Sequence, residues 1–343
     1  MEFYDGTKLL SLKDLSGNTP EIYICTSNRS AGKTTYFNRL VINRYKKSGK
    51  KFGLLYRYNY ELSDCADKFF KDIQGLFFPD DIMSSKSKAK GMFHELYLNG
   101  DSCGYALSIN NADGLKKYSH LLSDIDSMIF DEFQSENGNY CPNEIRKFIS
   151  IHTSIARGKH KQVRYVPVYM ISNPVTILNP YYTHLGITER LNKNVKFLKG
   201  NGFVLEQGFN ESASELQLAS SFNKAFSGND YIAYSAQNVY LDDNYSFIER
   251  PSGFSKYLAT IKYNGKEFAL RAFPDTGYIY CDDNPDTSFK TKLSITTNDH
   301  EENYLMIKSY DLFVTNMKYY FDKGCFRFKN LICKEAVLKM LSY

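Results

Sequence analysis

The stretch Tyr23–Leu40, YICTSNRSAGKTTYFNRL, constrains this chain more than any other. An apolar segment runs into a polar loop ending in Gly32-Lys33-Thr34. Beyond it, Phe37, Leu40, Val41 and Tyr45 recur at helical spacing. A strand–loop–helix unit of this kind aims backbone N–H groups and the positive end of a helix at an anion. Gly32 permits close backbone approach, Lys33 offers charge to the β and γ phosphates, and the Thr34 hydroxyl offers a ligand to Mg²⁺. The phosphate-loop pattern asks for a glycine where Ser27 stands, but that position needs only a turn, which Ser27 and Asn28 can supply. The expected ATP-binding residues are therefore Ser27, Asn28, Arg29, Ser30, Ala31, Gly32, Lys33, Thr34 and Thr35. Arg29 is either a solvated loop charge or a cation that reports the nucleotide state.

A second motif follows roughly a hundred residues later. In DSMIFDEFQ three apolar residues, Met128, Ile129 and Phe130, lead into Asp131-Glu132. A buried strand ending this way sets Asp131 beside the Mg²⁺ of a neighbouring phosphate loop. Glu132 is then placed to take a proton from an attacking water, so Glu132 is the expected general base. A third strand, VYMISNP, ends in Ser172 and Asn173. Either residue is placed to reach the γ-phosphate, or the pair simply ends a strand before a proline turn. From Arg146 to Arg164 there are six Lys/Arg, two His and no acid. That density suits phosphate contact or a finger into a neighbouring subunit's site, with a solvated loop as the plain alternative. Arg157 is the first candidate for the finger and Arg146 the second. Lys159, Lys161 and Arg164 are candidates for gripping a DNA backbone.

The order of elements sets the fold class. Strands are expected at 21–26, 51–58, 102–109, 127–133 and 164–172, with helices at 33–47, 62–73 and 143–156. This alternation predicts an α/β fold with a mostly parallel, three-layer sheet. Residues 208–229, rich in Ser, Asn, Ala and Gly, read as a linker. Beyond them, two strands flank Asn264-Gly265, the strongest two-residue hairpin signal, and PDTG turns into a third. A helix over about 300–322, capped by Asn298 or Asp299, and a last helix over 330–341 complete a smaller α+β domain. The expected division is thus 1–207, a linker at 208–229, and 230–343.

Composition bounds the rest. No apolar run approaches the 18 residues of a membrane span, and the N-terminus shows no secretory pattern. The seven cysteines form no CxxC pair, so a zinc module is not expected and free thiols in a reducing compartment are. The net charge of +5 is mild, so a polyanionic partner must be met by local patches.

Taken together, NRSAGKT, MIFDEF, YCPNEI and SNPVTILNPYY resemble the DNA-encapsidation ATPases of small protein-primed tailed phages, the phi29 type. IKYNG, GYIYCDDNPDT and TTNDHEENYLMI continue the likeness. The wider family is that of the large terminase subunits. The resemblance implies an ASCE P-loop ATPase domain followed by a ribonuclease-H-like domain. It also implies a homomeric ring, a pentamer, in the host cytoplasm and at the portal vertex of an empty capsid, pumping double-stranded DNA inward with ATP and Mg²⁺. Some relatives add a packaging RNA. Lys33, Thr34, Asp131 and Glu132 match the family's nucleotide and catalytic positions, and Arg157 its finger.

The second domain separates this reading from its rivals, a terminase with a working nuclease and a non-catalytic nucleic-acid-binding protein. Two-metal cleavage needs converging carboxylates. The first strand, KYLATIKYNG, carries none, and Asp282, Asp283 and Asp286 suit an exposed turn at least as well as a metal site. Nucleic-acid or portal docking without cleavage is expected, on a terminal segment, Leu305 to Tyr343, with seven Lys/Arg against three acids.

Overall fold

The computed structural model describes residues 3–158, 162–191, 195–237, 240, 241, 243, 245–307 and 312–342. The chain divides into two compact units, residues 1–242 and 243–343.

The first unit is built on one sheet. Its strands are β1 (Ile22–Thr26), β2 (Lys51–Tyr56), β3 (Met83–Lys88), β4 (Phe93–Leu98), β5 (Asp101–Ser108), β6 (Ile125–Asp131), β7 (Val168–Ser172), β8 (Phe197–Gly200) and β9 (Phe203–Gln207). Their order is β3-β4-β5-β2-β6-β7-β1-β9-β8. From β5 to β9 all neighbours are parallel, and antiparallel pairs close both edges. The central strands are continuous apolar runs because helices cover both of their faces. IYIC of β1, MIF of β6 and VYMI of β7 are almost entirely buried.

Helix α1 (Lys33–Ser48) buries Phe37, Val41 and Ile42, as its periodicity requires. It stops where Gly49 adopts φ +67° and donates its N–H to Tyr45 O at 2.7 Å. Helix α2 (Cys65–Phe77) packs Phe69 on Phe52 of β2. It begins later than the expected 62, because Asn59–Leu62 winds a 3₁₀ turn closed by Glu61, whose carboxylate accepts from Tyr58 N at 2.6 Å. Helix α3 (Glu144–Ala156) lies where it is expected. Pro167 stands just before β7 rather than inside it. The hairpin β3–β4 gives no clear signal in sequence. MSSKSK is polar and half-exposed, and it becomes a strand only by pairing with β4.

Residues 208–229 are not a linker. They form α4 (Glu211–Ala219) and a short helix, Ser221–Ala225, and α5 (Asp230–Gln237) follows, all inside the first unit. The polar residues that read as a connection are helix caps. Asn210 accepts from Ala213 N at 2.9 Å and Ser220 from Asn223 N at 3.2 Å.

The second unit holds β10 (Lys256–Tyr263), β11 (Lys266–Phe273), β12 (Tyr278–Asp282), β13 (Lys292–Ser294), β14 (Leu305–Met306) and β15 (Phe326–Phe328), ordered β14-β13-β10-β11-β12-β15. An antiparallel meander, β10 to β12, is extended by parallel strands on both sides. This matches the ribonuclease-H-like start that the resemblance implies. Asn264 and Gly265 turn the first hairpin with φ of +51° and +74°.

The helix expected over 300–322 is shorter, α6 (Leu312–Asp322), with Val314 and Met317 buried. Leu305 and Met306 belong to β14 instead, and Leu305 is exposed. Tyr310, inside the expected helix, lies outside the described residues. Asp299 caps the hairpin rather than the helix. It accepts from Asn264 N at 3.0 Å and Gly265 N at 2.7 Å. The final helix, α7 (Leu331–Leu341), is capped by Asn330 and buries Ile332, Cys333, Ala336, Val337 and Met340.

Candidate nucleotide site

The sheet order brings the three sequence motifs together. β7 lies between β1 and β6, with Ser172 opposite Thr26 and Ile171 opposite Asp131. The strand ends therefore open side by side at the N-terminus of α1. This is where ligands bind in parallel α/β sheets.

Within the loop, the Lys33 ammonium is buried and donates to Ser27 O at 2.9 Å, Ser27 Oγ at 3.0 Å, Asn28 O at 3.1 Å and Asn173 Oδ1 at 3.2 Å. Ser27 thus does more than replace a glycine: both of its oxygens receive the lysine. Burial pulls the Lys33 pKa below the usual lysine value. Gly32 has φ +93°, and a Cβ there would stand 3.0 Å from the Phe3 ring and 3.3 Å from Tyr4 N. Both the backbone conformation and the close approach require glycine. Ser30 shares the left-handed region, with φ +61°. Ala31 O accepts from Tyr4 N at 2.8 Å, and Thr35 sits half-buried in the first turn of α1.

The supposed linker turns out to hold the loop. Asn28 and Asn210 exchange hydrogen bonds, Nδ2 to Asn210 O at 3.0 Å and Asn210 N to Oδ1 at 2.9 Å. Gln217 of α4 donates to Arg29 O at 3.1 Å and Ser30 Oγ at 3.0 Å. Arg29 N donates to Ser235 O of α5 at 2.8 Å. The Arg29 guanidinium pairs with Glu136 and lies over the rings of Tyr231 and Tyr234, and Tyr234 also donates to Glu136, at 2.7 Å. Arg29 is therefore neither free in solvent nor bonded to Glu132.

At the end of β6, Asp131 Oδ2 accepts from Thr34 Oγ1 at 2.8 Å and Oδ1 from Glu132 N at 3.0 Å. This pair of hard oxygens, fixed at the mouth of the loop, fits a Mg²⁺ ligand set. Burial raises the Asp131 pKa, opposed by Thr34 and Lys33. Glu132 has φ +54°, unusual for a residue with a side chain and costing about 1–2 kcal/mol. Its carboxyl makes no hydrogen bond or ion pair among the described residues. Desolvation against the cleft wall raises its pKa, followed by the charges of Asp131 and Glu136. The cleft in front of it measures about 660 Å³ and is lined by Arg29, Arg57, Glu61, Glu132, Glu136 and Asn173, among others.

Sequence reasoning missed Arg57. It is buried, pairs with Glu144 and points at the backbone just past Glu132. The only signal available was a single arginine in an apolar strand end, LLYRY. The basic window separates into parts. Arg146 and Arg157 are exposed, at the two ends of α3, and neither makes an ion pair among the described residues. Lys159 and Lys161 lie outside the described residues. Arg164 is not available to DNA: it is buried, pairs with Asp126 at 3.1 Å and donates to Ser123 O, Ile125 O and Ile155 O.

In the second unit, Asp282 pairs with Arg271 at 2.8 Å and Asp283 with Lys329. Asp286 accepts from Ser288 N and Oγ, at 2.9 and 2.6 Å.

Comparison with known proteins agrees over nearly the whole length. The chain is 25% identical over 342 residues to the DNA packaging proteins of Bacillus phages PZA and phi29, covering 98% of this chain and 96% of each relative. The bacteriophage phi29 viral genome packaging motor assembly contains a chain that superposes with TM-score 0.71 at 25% identity, over 98% of this chain and 99% of that one. The model of the podovirus DNA encapsidation protein (Gp16) family matches residues 2–342. With the phosphate loop, the acidic strand end and the intervening strand in one site, the chain belongs to that family and is a viral DNA packaging protein of the phi29 type.

Proposed function

We propose that this protein is the ATP-hydrolysing subunit of a homomeric ring, a pentamer, that drives double-stranded DNA through the portal into a preformed capsid without cutting it. The observation that carries this reading is the Thr34–Asp131 hydrogen bond at the mouth of a loop whose lysine also reaches Asn173. Lys33 meets the β and γ phosphates by exchanging its loop carbonyl partners for phosphate oxygens. Thr34 and Asp131 hold Mg²⁺, which neutralises charge on the transferred phosphoryl group when bound. Glu132 faces the cleft without a competing partner and accepts the proton of the attacking water. Asn173, already within reach of Lys33, orients that water or the γ-phosphate.

The remaining positive charge comes from a neighbouring subunit. Arg146 and Arg157 are separated by eleven residues along α3, about 16 Å, so only one of them enters a given site. Arg157, at the end of the helix and followed by Gly158, is the finger, and Arg146 is the alternative. Translocated DNA is held through its phosphates by Lys159 and Lys161, without reading bases, because a motor must pass over any sequence. The second unit docks DNA, the portal or a packaging RNA. Its strand-end acids are each engaged in structural pairs or turns, which supports docking over cleavage.

The test is steady-state ATP turnover with and without duplex DNA in Mg²⁺, together with subunit mixing. Arg157→Ala subunits keep their own site, and Glu132→Gln subunits keep their finger. Mixtures are expected to regain activity that neither variant shows alone. No recovery at any ratio, with rings still forming, rejects the finger in trans. DNA affinity is expected to fall steeply with salt.

A further inference from the structure

We propose that the stacked rings of Tyr58 and Tyr60, at the rim of the nucleotide cleft, are the seat on which a second copy of this chain lays the guanidinium of its Arg157. The proposal rests on the reading of this protein as a ring whose sites are completed in trans, and it supplies the receiving surface.

The seat is rigid and open. The 3₁₀ turn Asn59–Leu62 folds the Tyr60 ring against that of Tyr58, with centres 5.5 Å apart and planes within 10°. Several bonds fix the turn. Glu61 accepts from Tyr58 N at 2.6 Å, Ser63 Oγ donates to Tyr60 O at 2.9 Å, and Asn59 Oδ1 accepts from Asn111 Nδ2 at 2.6 Å. Tyr60 nevertheless stays 73% exposed. One exposed aromatic means little by itself, but its surroundings select a partner. The adjoining cleft wall carries Glu61, Glu132 and Glu136 with Arg29 and Arg57. Arg29 answers Glu136, and Arg57 is taken by Glu144. Glu61 and Glu132 form no ion pair among the described residues. Bound nucleotide adds more negative charge. Such a wall repels a DNA backbone and attracts a cation. A tyrosine face attracts one too, and a planar guanidinium stacks on it best.

The chain carries the matching cation where its own cleft cannot use it. The exposed residues Arg146, Ile149, Thr153 and Arg157 are spaced by three, four and four, so they form one stripe without an acid, within about 80° around α3. The start of α3 lies beside the chain's own seat. Lys147, in its first turn, donates to Asn110 Oδ1 at 3.0 Å, and the next residue, Asn111, holds Asn59. The end of α3 lies at the other end of β6. Arg164 ties Ile155 O to Ser123 O and Ile125 O, where that strand begins, and a Cβ on Gly158 would meet Ser123 Cβ at 2.7 Å. β6 runs seven residues from there to Asp131, about 20 Å, beyond an arginine's reach. Arg157 therefore serves the cleft of another copy. A contact between two different patches of one chain is head-to-tail, the kind that closes rings.

The test is a double-mutant cycle in full-length rings with DNA and Mg²⁺-ATP. Tyr60→Ala is expected to lower kcat about 3- to 30-fold, with nucleotide affinity and melting temperature near wild type. Tyr60→Phe keeps the ring and should stay within about twofold. Tyr60→Leu keeps apolar bulk without a ring face and should fall as far as alanine. In an Arg157→Ala background, Tyr60→Ala should change the residual single-turnover rate by less than about twofold, since no guanidinium is left to seat. In an Arg146→Ala background its full effect should remain. Wild-type kcat in Tyr60→Ala overturns the proposal, and so does the same loss with and without Arg157. Coupling to Arg146 alone would make the seat serve its own chain, and a changed salt dependence of DNA binding would give it to DNA. Either result overturns the proposal. If Arg157→Ala itself turns over at the wild-type rate, the finger in trans fails and the seat falls with it. If Arg157→Ala is inactive and Tyr60→Ala is not, the finger stands and the seat alone is rejected.

Discussion

Two strands in this chain end in adjacent acids, Asp131-Glu132 on β6 and Asp282-Asp283 on β12, and the two ends are chemically opposite. At the first, Asp131 is held by a hydroxyl and a backbone N–H, and Glu132 faces an open cleft with no cation bound to it. At the second, Arg271 occupies Asp282 and Lys329 occupies Asp283. An acid whose charge is already answered by a neighbouring cation has little left to offer a metal or a water. An acid held by neutral donors keeps its charge for a ligand. Position at a strand end marks a candidate, and its partners decide between chemistry and architecture.

The sharpest way to break this contrast is at the loop. Lys33→Ala removes the charge proposed to meet the phosphates, and nucleotide binding measured by calorimetry should be lost, with melting unchanged within a few degrees. Binding at wild-type affinity would mean that the loop backbone alone holds the phosphates. The next effect is Glu132→Gln, which should bind ATP normally and hydrolyse it about 10²–10⁴ times more slowly. A general base works only when unprotonated, and desolvation raises the pKa of Glu132, the proposed base. Wild-type kcat at saturating ATP should therefore fall on acidification through a pKa above the ordinary glutamate value of about 4.3. A limb at or below that value would show that Glu132 is not the titrating group, or that bound nucleotide reverses the shift.

Smaller effects test the architectural side. Arg164→Ala removes the ion pair to Asp126 and the guanidinium bonds to three carbonyls. It should cost about 3 kcal/mol in chemical denaturation while leaving the salt dependence of DNA binding intact. A changed salt slope with unchanged stability would return Arg164 to the DNA-binding set. Asp282→Ala should cost about 1–2 kcal/mol by removing the ion pair of Arg271, a largely buried side chain that keeps only its bond to Asn284 O and its stacking on Tyr257. Plasmid DNA incubated with Mn²⁺ should stay intact before and after the substitution. Nicking by wild type that disappears in the variant would make the second strand end a nuclease site and remove the contrast.

The legible parts of this protein were those governed by short-range rules. β1, α1 and the Gly49 stop, the strand into Asp131, the Asn264-Gly265 hairpin and α7 follow from periodicity, glycine conformation and capping, which act over a few residues. The helix over 300–322 failed for a related reason. Leu305 and Met306 match helical spacing, but pairing with β13 makes them a strand. Residues 208–229 failed because Asn and Ser serve loops and helix caps alike, and composition cannot distinguish the two.

The chain's own order of residues thus marked Lys33, Thr34, Asp131 and Glu132 as the candidates for the chemistry. A loop between a buried strand and a helix, and an acid at a strand end, are local constructions. Only the tertiary structure decided what surrounds them. The sheet order inserted β7 between β1 and β6 and so brought Asn173 to Lys33. The fold of residues 208–237 tied Asn210, Gln217 and Ser235 to the loop. Arg57, 75 residues before Glu132, became its backbone's anchor. Each of these contacts joins residues far apart in the chain, and nothing local in sequence encodes a partner that distant.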